Sequence, residues 1–155
     1  MLRESLHSHA QRGMGMVEVL VALLVLAIGL LGILSMQTRG LQLNQLAYFQ
    51  SQAMFYANDI IERMRSNEGA ILSYDIGLDD STNGSAGPCD AASSCVATEM
   101  AAYDLHRWKT ELRASLPGGK GAVAIGNPSG NLYPVTIQVQ YQQGDTFTYQ
   151  MEAML

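Results

Sequence analysis

The sequence predicts an α+β fold: a long amino-terminal helix whose first half spans a membrane, a second short helix, and a small antiparallel β-sheet. Three observations predict it. An apolar run without charge or proline extends from Val19 to Leu34, and a three-and-four stripe of apolar residues then carries helical periodicity onward to Met64. A second stripe runs from Ala101 to Leu116, and two stretches near the end alternate strictly between apolar and polar side chains. The 155 residues allow one anchor and one small domain.

The apolar stretch from Met14 to Met36 would rise about 35 Å as a helix, against a hydrocarbon core of about 30 Å. A secretory signal would be shorter and followed by small residues at its cleavage site. Ser35-Met36-Gln37-Thr38-Arg39 offers no such site, so the helix is read as retained. Arg3 and Arg12 lie before it and the acidic bulk after it, which orients the leader toward the cytoplasm. Beyond Arg39-Gly40, the residues Leu43, Leu46, Phe49 or Gln50, Ala53, Ala57, Ile60 and Met64 mark one face. Asn44, Gln45, Gln52, Asn58, Asp59, Glu62 and Arg63 mark the other. One continuous helix from about Met14 to Asn67 results, with Gly69 as its C-cap. The chain then divides into residues 1–13 as a leader, 14–36 as the membrane half of the helix, 37–68 as its amphipathic half, and 69–155 as the head.

Gly29 and Gly32 interrupt the apolar half, each costing about 1 kcal/mol relative to alanine. They permit either close packing against another helix or a point that stretches; no proline precedes Pro88. From Ile71 to Val96 the composition turns to Gly, Ser, Asp and Asn, a connecting loop with at most one helical turn. A second helix follows from about Thr98, its cap, to Leu116, with Ala101, Leu105, Trp108, Leu112 and Leu116 on one face and Pro117-Gly118-Gly119 stopping it. Ala122–Ile125 reads as a short strand, and Asn127–Asn131 as a turn. Val135, Ile137, Val139 and Tyr141, then Phe147, Tyr149, Met151 and Ala153, form a hairpin around Gln142-Gln143-Gly144-Asp145.

Glu18 is the residue that packing does not explain. A carboxylate at the middle of a bilayer costs roughly 2.5–3.5 kcal/mol, and less near the edge, so it needs a partner. Cutting the chain after Gly13 would supply one: the new α-amino group of Met14 would lie one helical turn from Glu18, or from the Glu18 of a neighbouring copy. Loss of the leader removes Arg3, Arg12 and Glu4, leaving 7 Lys+Arg against 13 Asp+Glu, a formal −6. Such an acidic surface repels phosphates, so nucleic acid is not an expected partner.

Other chemistry is sparse. His7 and His9 fall in the leader, and His106, between Leu105 and Arg107, reads as a surface residue. Asp79-Asp80 reads as a solvated acidic pair, and Trp108 as core. Cys89 and Cys95 are the only cysteines, and with the head outside the cytoplasm they are expected to pair as a disulfide. With one histidine beyond the leader there is no zinc ligand set. No cofactor and no small-molecule substrate is implied, and the chain reads as non-enzymatic.

Glycine at the end of a basic leader, Met14 after it and Glu18 at the fifth position beyond it resemble the class III signal of type IV pilins. The downstream Glu18-Val19-Leu20-Val21-Ala22-Leu23-Leu24, Ala27-Ile28-Gly29-Leu30-Leu31-Gly32 and Ser35-Met36-Gln37 resemble the minor pilin family called type IV pilus modification protein PilV. A helical Trp108 followed by Leu116-Pro117-Gly118-Gly119 extends that resemblance. The Glu-Val-Leu-Val-Ala-Leu core also suits the I-type pseudopilins of type II secretion, whereas Ile28–Gly32 favours PilV.

The resemblance implies a pilin-type fold, cleavage between Gly13 and Met14 by a prepilin peptidase, N-methylation of Met14, and a role for Glu18 in subunit assembly. It implies a subunit held in the bacterial inner membrane by a single pass, with its head in the periplasm, and later present in the pilus at the cell surface. The major pilin and other minor pilins are the implied partners, and initiation or assembly of the pilus is the implied role. A pseudopilin is the alternative. A receptor for DNA or host ligands is less favoured, because the basic residues are scattered.

Overall fold

A computed structural model describes residues 15–82, 89 and 95–155. The chain separates into two compact units, Met1–Leu43 and Asn44–Leu155. Gly13, Met14 and the rest of the leader lie outside the described residues, as does most of the segment between Thr82 and Val96.

In the first unit the described chain is the opening of helix α1, Met16–Ser66. Every residue from Gly15 to Leu43 is exposed, so no packing among the described residues of the unit accounts for the helix. It rests instead on sequence: Leu, Ala and Ile sustain helical geometry, and there is no proline to break it. The helix passes through Gly29, Gly32 and Gly40 without interruption, and a Cβ at any of the three would meet nothing within 4 Å. It is long and apolar enough to cross a membrane.

In the second unit the stripe takes effect. Ala53, Ala57, Ile60, Ile61 and Met64 are buried, and Leu46, Phe49 and Tyr56 pack beside them, while Leu43 lies exposed in the first unit. The helix ends differently from the sequence expectation. After Ser66 the chain turns at Asn67, whose N–H donates to the Met64 carbonyl at 3.1 Å, and enters a 3-10 helix, Glu68–Tyr74. Gly69 lies inside that element without a left-handed φ, so it is not the C-cap. The tighter turn puts Ala70, Ile71 and Tyr74 in the core, which a glycine-terminated exit into a loop would not do.

Helix α2 spans Ala97–Ser115. Its cap is Val96 and not Thr98, which sits within the first turn. Valine has no side-chain acceptor, so only the reciprocal half of a capping box forms, with the Glu99 carboxylate accepting from the Val96 N–H at 3.1 Å. The helix stops where expected, with Leu116 extended before Pro117.

Strands β1 (Lys120–Ile125), β2 (Pro134–Gln143) and β3 (Asp145–Met154) form one antiparallel sheet in that order. The register sets Val123 opposite Ile137 and Ile137 opposite Met151, so one face is continuously apolar. Gly144, at φ 74, lies in the left-handed region and lets the β2–β3 turn close on a single residue. Strand β1 begins earlier than Ala122 because Gly121 continues the ladder beneath α2. Outside the sheet proper, Ile76 bridges to Val123. Trp108 is fully buried between sheet and helices and donates its indole N–H to the Tyr56 carbonyl of α1 at 2.8 Å. Phe49 of α1 meets Tyr141 of β2 with ring centroids 6.0 Å apart.

Candidate functional site

The amino end of α1 is where the sequence placed its unexplained charge. The first turn closes with the Glu18 N–H donating to the Gly15 carbonyl at 2.9 Å. Glu18 thus stands in the first turn, where free N–H groups and the helix dipole favour a carboxylate. Its side chain is exposed and has no ion-pair partner among the described residues. Between Met16 and Asn58 the only charges are Glu18 and Arg39, which bracket the uncharged apolar stretch. The position sets one exposed carboxylate at the start of the uncharged apolar stretch. Gly13 and Met14 lie outside the described residues, so the proposed amine is not among the groups placed.

The head carries charges that the sequence did not single out. The Arg63 guanidinium donates to Asp59 at 2.9 Å, to Asp104 at 3.4 Å and to Glu111 at 3.5 Å, tying α1 to α2. Asp104, almost fully buried, also accepts from the Tyr74 hydroxyl at 2.7 Å. Burial, foremost, raises the Tyr74 phenol well above its ordinary range; Asn67 opposes the shift and Asp104 adds to it. Lys109 is 2% exposed, and its ammonium donates to the carbonyls of Gly77 at 2.6 Å and Asp80 at 2.8 Å. Burial pulls its pKa down, partly offset by the Asp80 carboxylate.

Two expectations change here. Asp79 and Asp80 are not merely solvated: Lys120 donates to Asp79 at 2.6 Å, holding that carboxyl below its ordinary range, and Asp80 accepts from the Gly77 N–H at 2.7 Å. His106 is half-buried, not a free surface residue, with Nδ1 at 3.0 Å from the Thr82 hydroxyl. Together with the Ile76 bridge, these contacts fasten the segment 76–82 to α2 and β1. Asp79 and Lys120 line an open cleft of about 250 Å³ beside Arg113 and Gly118, whereas His106 and Lys109 are not among its lining residues. A signal for Lys109 and Asp104 existed in the sequence: both fall on the apolar stripe of α2, flanking Trp108, where a charge must find a partner.

Cys89 and Cys95 are joined by a disulfide, with Cα atoms 5.7 Å apart. Among the described residues there is no group of three His, Cys, Asp or Glu side chains able to hold a metal ion.

Residues 8–34 match the family model described as the prokaryotic N-terminal methylation motif, and residues 35–106 match that described as Type IV pilin Tt1218. The two matches abut at the end of the apolar run, so the motif takes in Gly13, Met14 and Glu18 while the pilin segment takes in the rest of α1 and half of α2. No curated protein and no solved structure matches the chain. A long apolar amino-terminal helix, a three-stranded antiparallel sheet and a further helix make the α+β arrangement of type IV pilins. Over residues 8–106 the chain is similar to type IV pilins that carry an N-terminal methylation motif.

Proposed function

We propose that the protein is a minor pilin of the PilV type, which helps to initiate or assemble a type IV pilus alongside the major pilin and other minor pilins. One observation carries the reading: Glu18 is the sole charge from Met16 to Thr38, on an uncovered apolar helix, inside a methylation motif. Prepilin peptidase cuts between Gly13 and Met14 and N-methylates Met14, which retains its positive charge. In lipid a bare carboxylate and a bare amine each gain by pairing, so Glu18 fixes the axial position of one subunit against the next. Until assembly the helix holds the protein in the inner membrane, with the acidic head in the periplasm.

The test compares wild type with Glu18→Ala and Glu18→Gln in cells that build pili. Cleavage, membrane level and recovery in sheared pili are measured, together with the pilins that crosslink to each form. Both variants should be inserted and cleaved normally but depleted from the pilus fraction. Equal recovery of all three forms would show the charge to be incidental and remove the basis of the reading.

A further inference from the structure

Strand β3 closes the sheet on one side, and no described strand pairs with its other edge. Sheets commonly guard such an edge with a lysine, a proline, a bulge or shortness. β3 has none of these: it is ten residues long and pairs with β2 without a break in register. From Thr146 to Met151 it carries no charge. Its outward side chains Thr146, Thr148, Gln150 and Glu152 are exposed, while Phe147, Tyr149 and Met151 are only half-buried. Beside it the three-stranded sheet stops short of covering α1. An open cleft of about 280 Å³ runs between Tyr149 and the helix residues Ala47, Gln50, Ser51 and Met54.

We propose that this edge is a docking site for an extended segment of a different protein chain, which adds a fourth, antiparallel strand. Backbone groups of β3 supply the hydrogen bonds. Alternate apolar side chains of the incoming strand enter the cleft against Ala47, Met54 and Tyr149, and the intervening ones lie beside the threonines and glutamines. Charge selects the partner. Residues 121–155 contain no Lys, Arg or His, and the edge is bracketed by Asp145 and Glu152, neither of which has an ion-pair partner among the described residues. A second copy of β3 has no Lys, Arg or His between Asp145 and Met154, so in any register it brings no basic side chain to either acid. A strand with basic residues seven apart meets both acids. This inference goes beyond the assembly role of Glu18 and does not depend on it, since every group involved belongs to the second unit.

The experiment uses the full chain in detergent micelles and a peptide of alternating valine and threonine with a lysine at each end, spaced to meet Asp145 and Glu152. Amide hydrogen exchange is followed along β3. The peptide should slow exchange of β3 amides about tenfold and leave β1 unchanged. A version N-methylated at alternate amides should have no effect, and one ending in glutamates should protect far less. The exposed-site variant Asp145→Lys/Glu152→Lys should reverse the preference between lysine and glutamate peptides. No protection by the lysine peptide at millimolar concentration would overturn the proposal, as would equal protection by the N-methylated form. Protection of β3 that grows with protein concentration in the absence of peptide would overturn it in favour of self-pairing.

Discussion

Replacing Gly121 with alanine should destabilise the head by about 2–4 kcal/mol, although it adds only one methyl group. A Cβ there would lie 2.4 Å from Trp108 Cη2 and 2.6 Å from both Trp108 Cζ3 and Leu112 Cδ1. Carbon atoms in contact sit about 3.5–4.0 Å apart, so the indole or the strand must yield by about 1 Å. The indole has nowhere to go: it is fully buried, and its N–H is committed to the Tyr56 carbonyl at 2.8 Å. Overpacking of this kind costs about 1–3 kcal/mol, and weakening the indole hydrogen bond adds about 1 kcal/mol. Urea unfolding followed by fluorescence reads the event directly, because Trp108 is the single tryptophan. The midpoint should fall while the slope holds. The mechanism is checked by a cycle with Trp108→Leu, read by circular dichroism: where the ring is gone, Gly121→Ala should cost under about 1 kcal/mol. Gly69→Ala, which meets no atom within 4 Å, serves as the control and should change stability by less than about 0.5 kcal/mol. A loss below about 0.5 kcal/mol for Gly121→Ala, or the same loss with and without the tryptophan ring, would refute the argument.

Two further outcomes follow from the head. Tyr74 has its pKa raised on folding from an ordinary 10.0, so above that pH the unfolded chain releases a proton the folded chain keeps, and stability falls as pH rises. Tyr74→Phe should flatten that alkaline loss, leaving the smaller part due to Tyr141, while costing about 1–2 kcal/mol at neutral pH through the lost bond to Asp104; an unchanged slope between pH 10 and 11.5 would disprove the assignment. The Cys89–Cys95 bridge closes a short loop worth about 2 kcal/mol, so Cys89→Ser/Cys95→Ser should unfold at lower urea, and the native protein should resist thiol labelling until reduced. Full labelling without reductant would contradict the bridge.

The parts of this chain that were legible are those whose physics is local. The apolar run, the stripe from Leu46 to Met64 and the alternation through Val135–Ala153 each record a single environment, lipid or one buried face, and each formed the predicted element. What sequence reading missed depends on partners distant in the chain. Arg63 meets Asp104 and Glu111 across 41 and 48 residues, and Lys109 reaches back 32 residues to Gly77. Gly69 looked like a cap because a helix followed by glycine usually ends there, yet burying Tyr74 required one more, tighter turn. Thr98 reads as a cap because its hydroxyl can accept from a first-turn N–H, yet the helix starts one residue earlier and the Glu99 carboxylate serves Val96. Asp104 and Lys109 show that a charge on an apolar stripe marks a contact to be found. Glu18 is the same kind of signal in a different solvent. In the head, the misplaced charges find their partners within the chain; in the helix from Gly15 to Leu43, where every residue is exposed, no described residue forms an ion pair with Glu18. An apolar surface of that length is costly in water and a lone carboxylate is costly in lipid; on the proposed function both are relieved by packing beside another membrane helix that brings a positive charge to the first turn. On that proposal Glu18 and the uncovered helix form one feature, an interface whose other half belongs to another subunit.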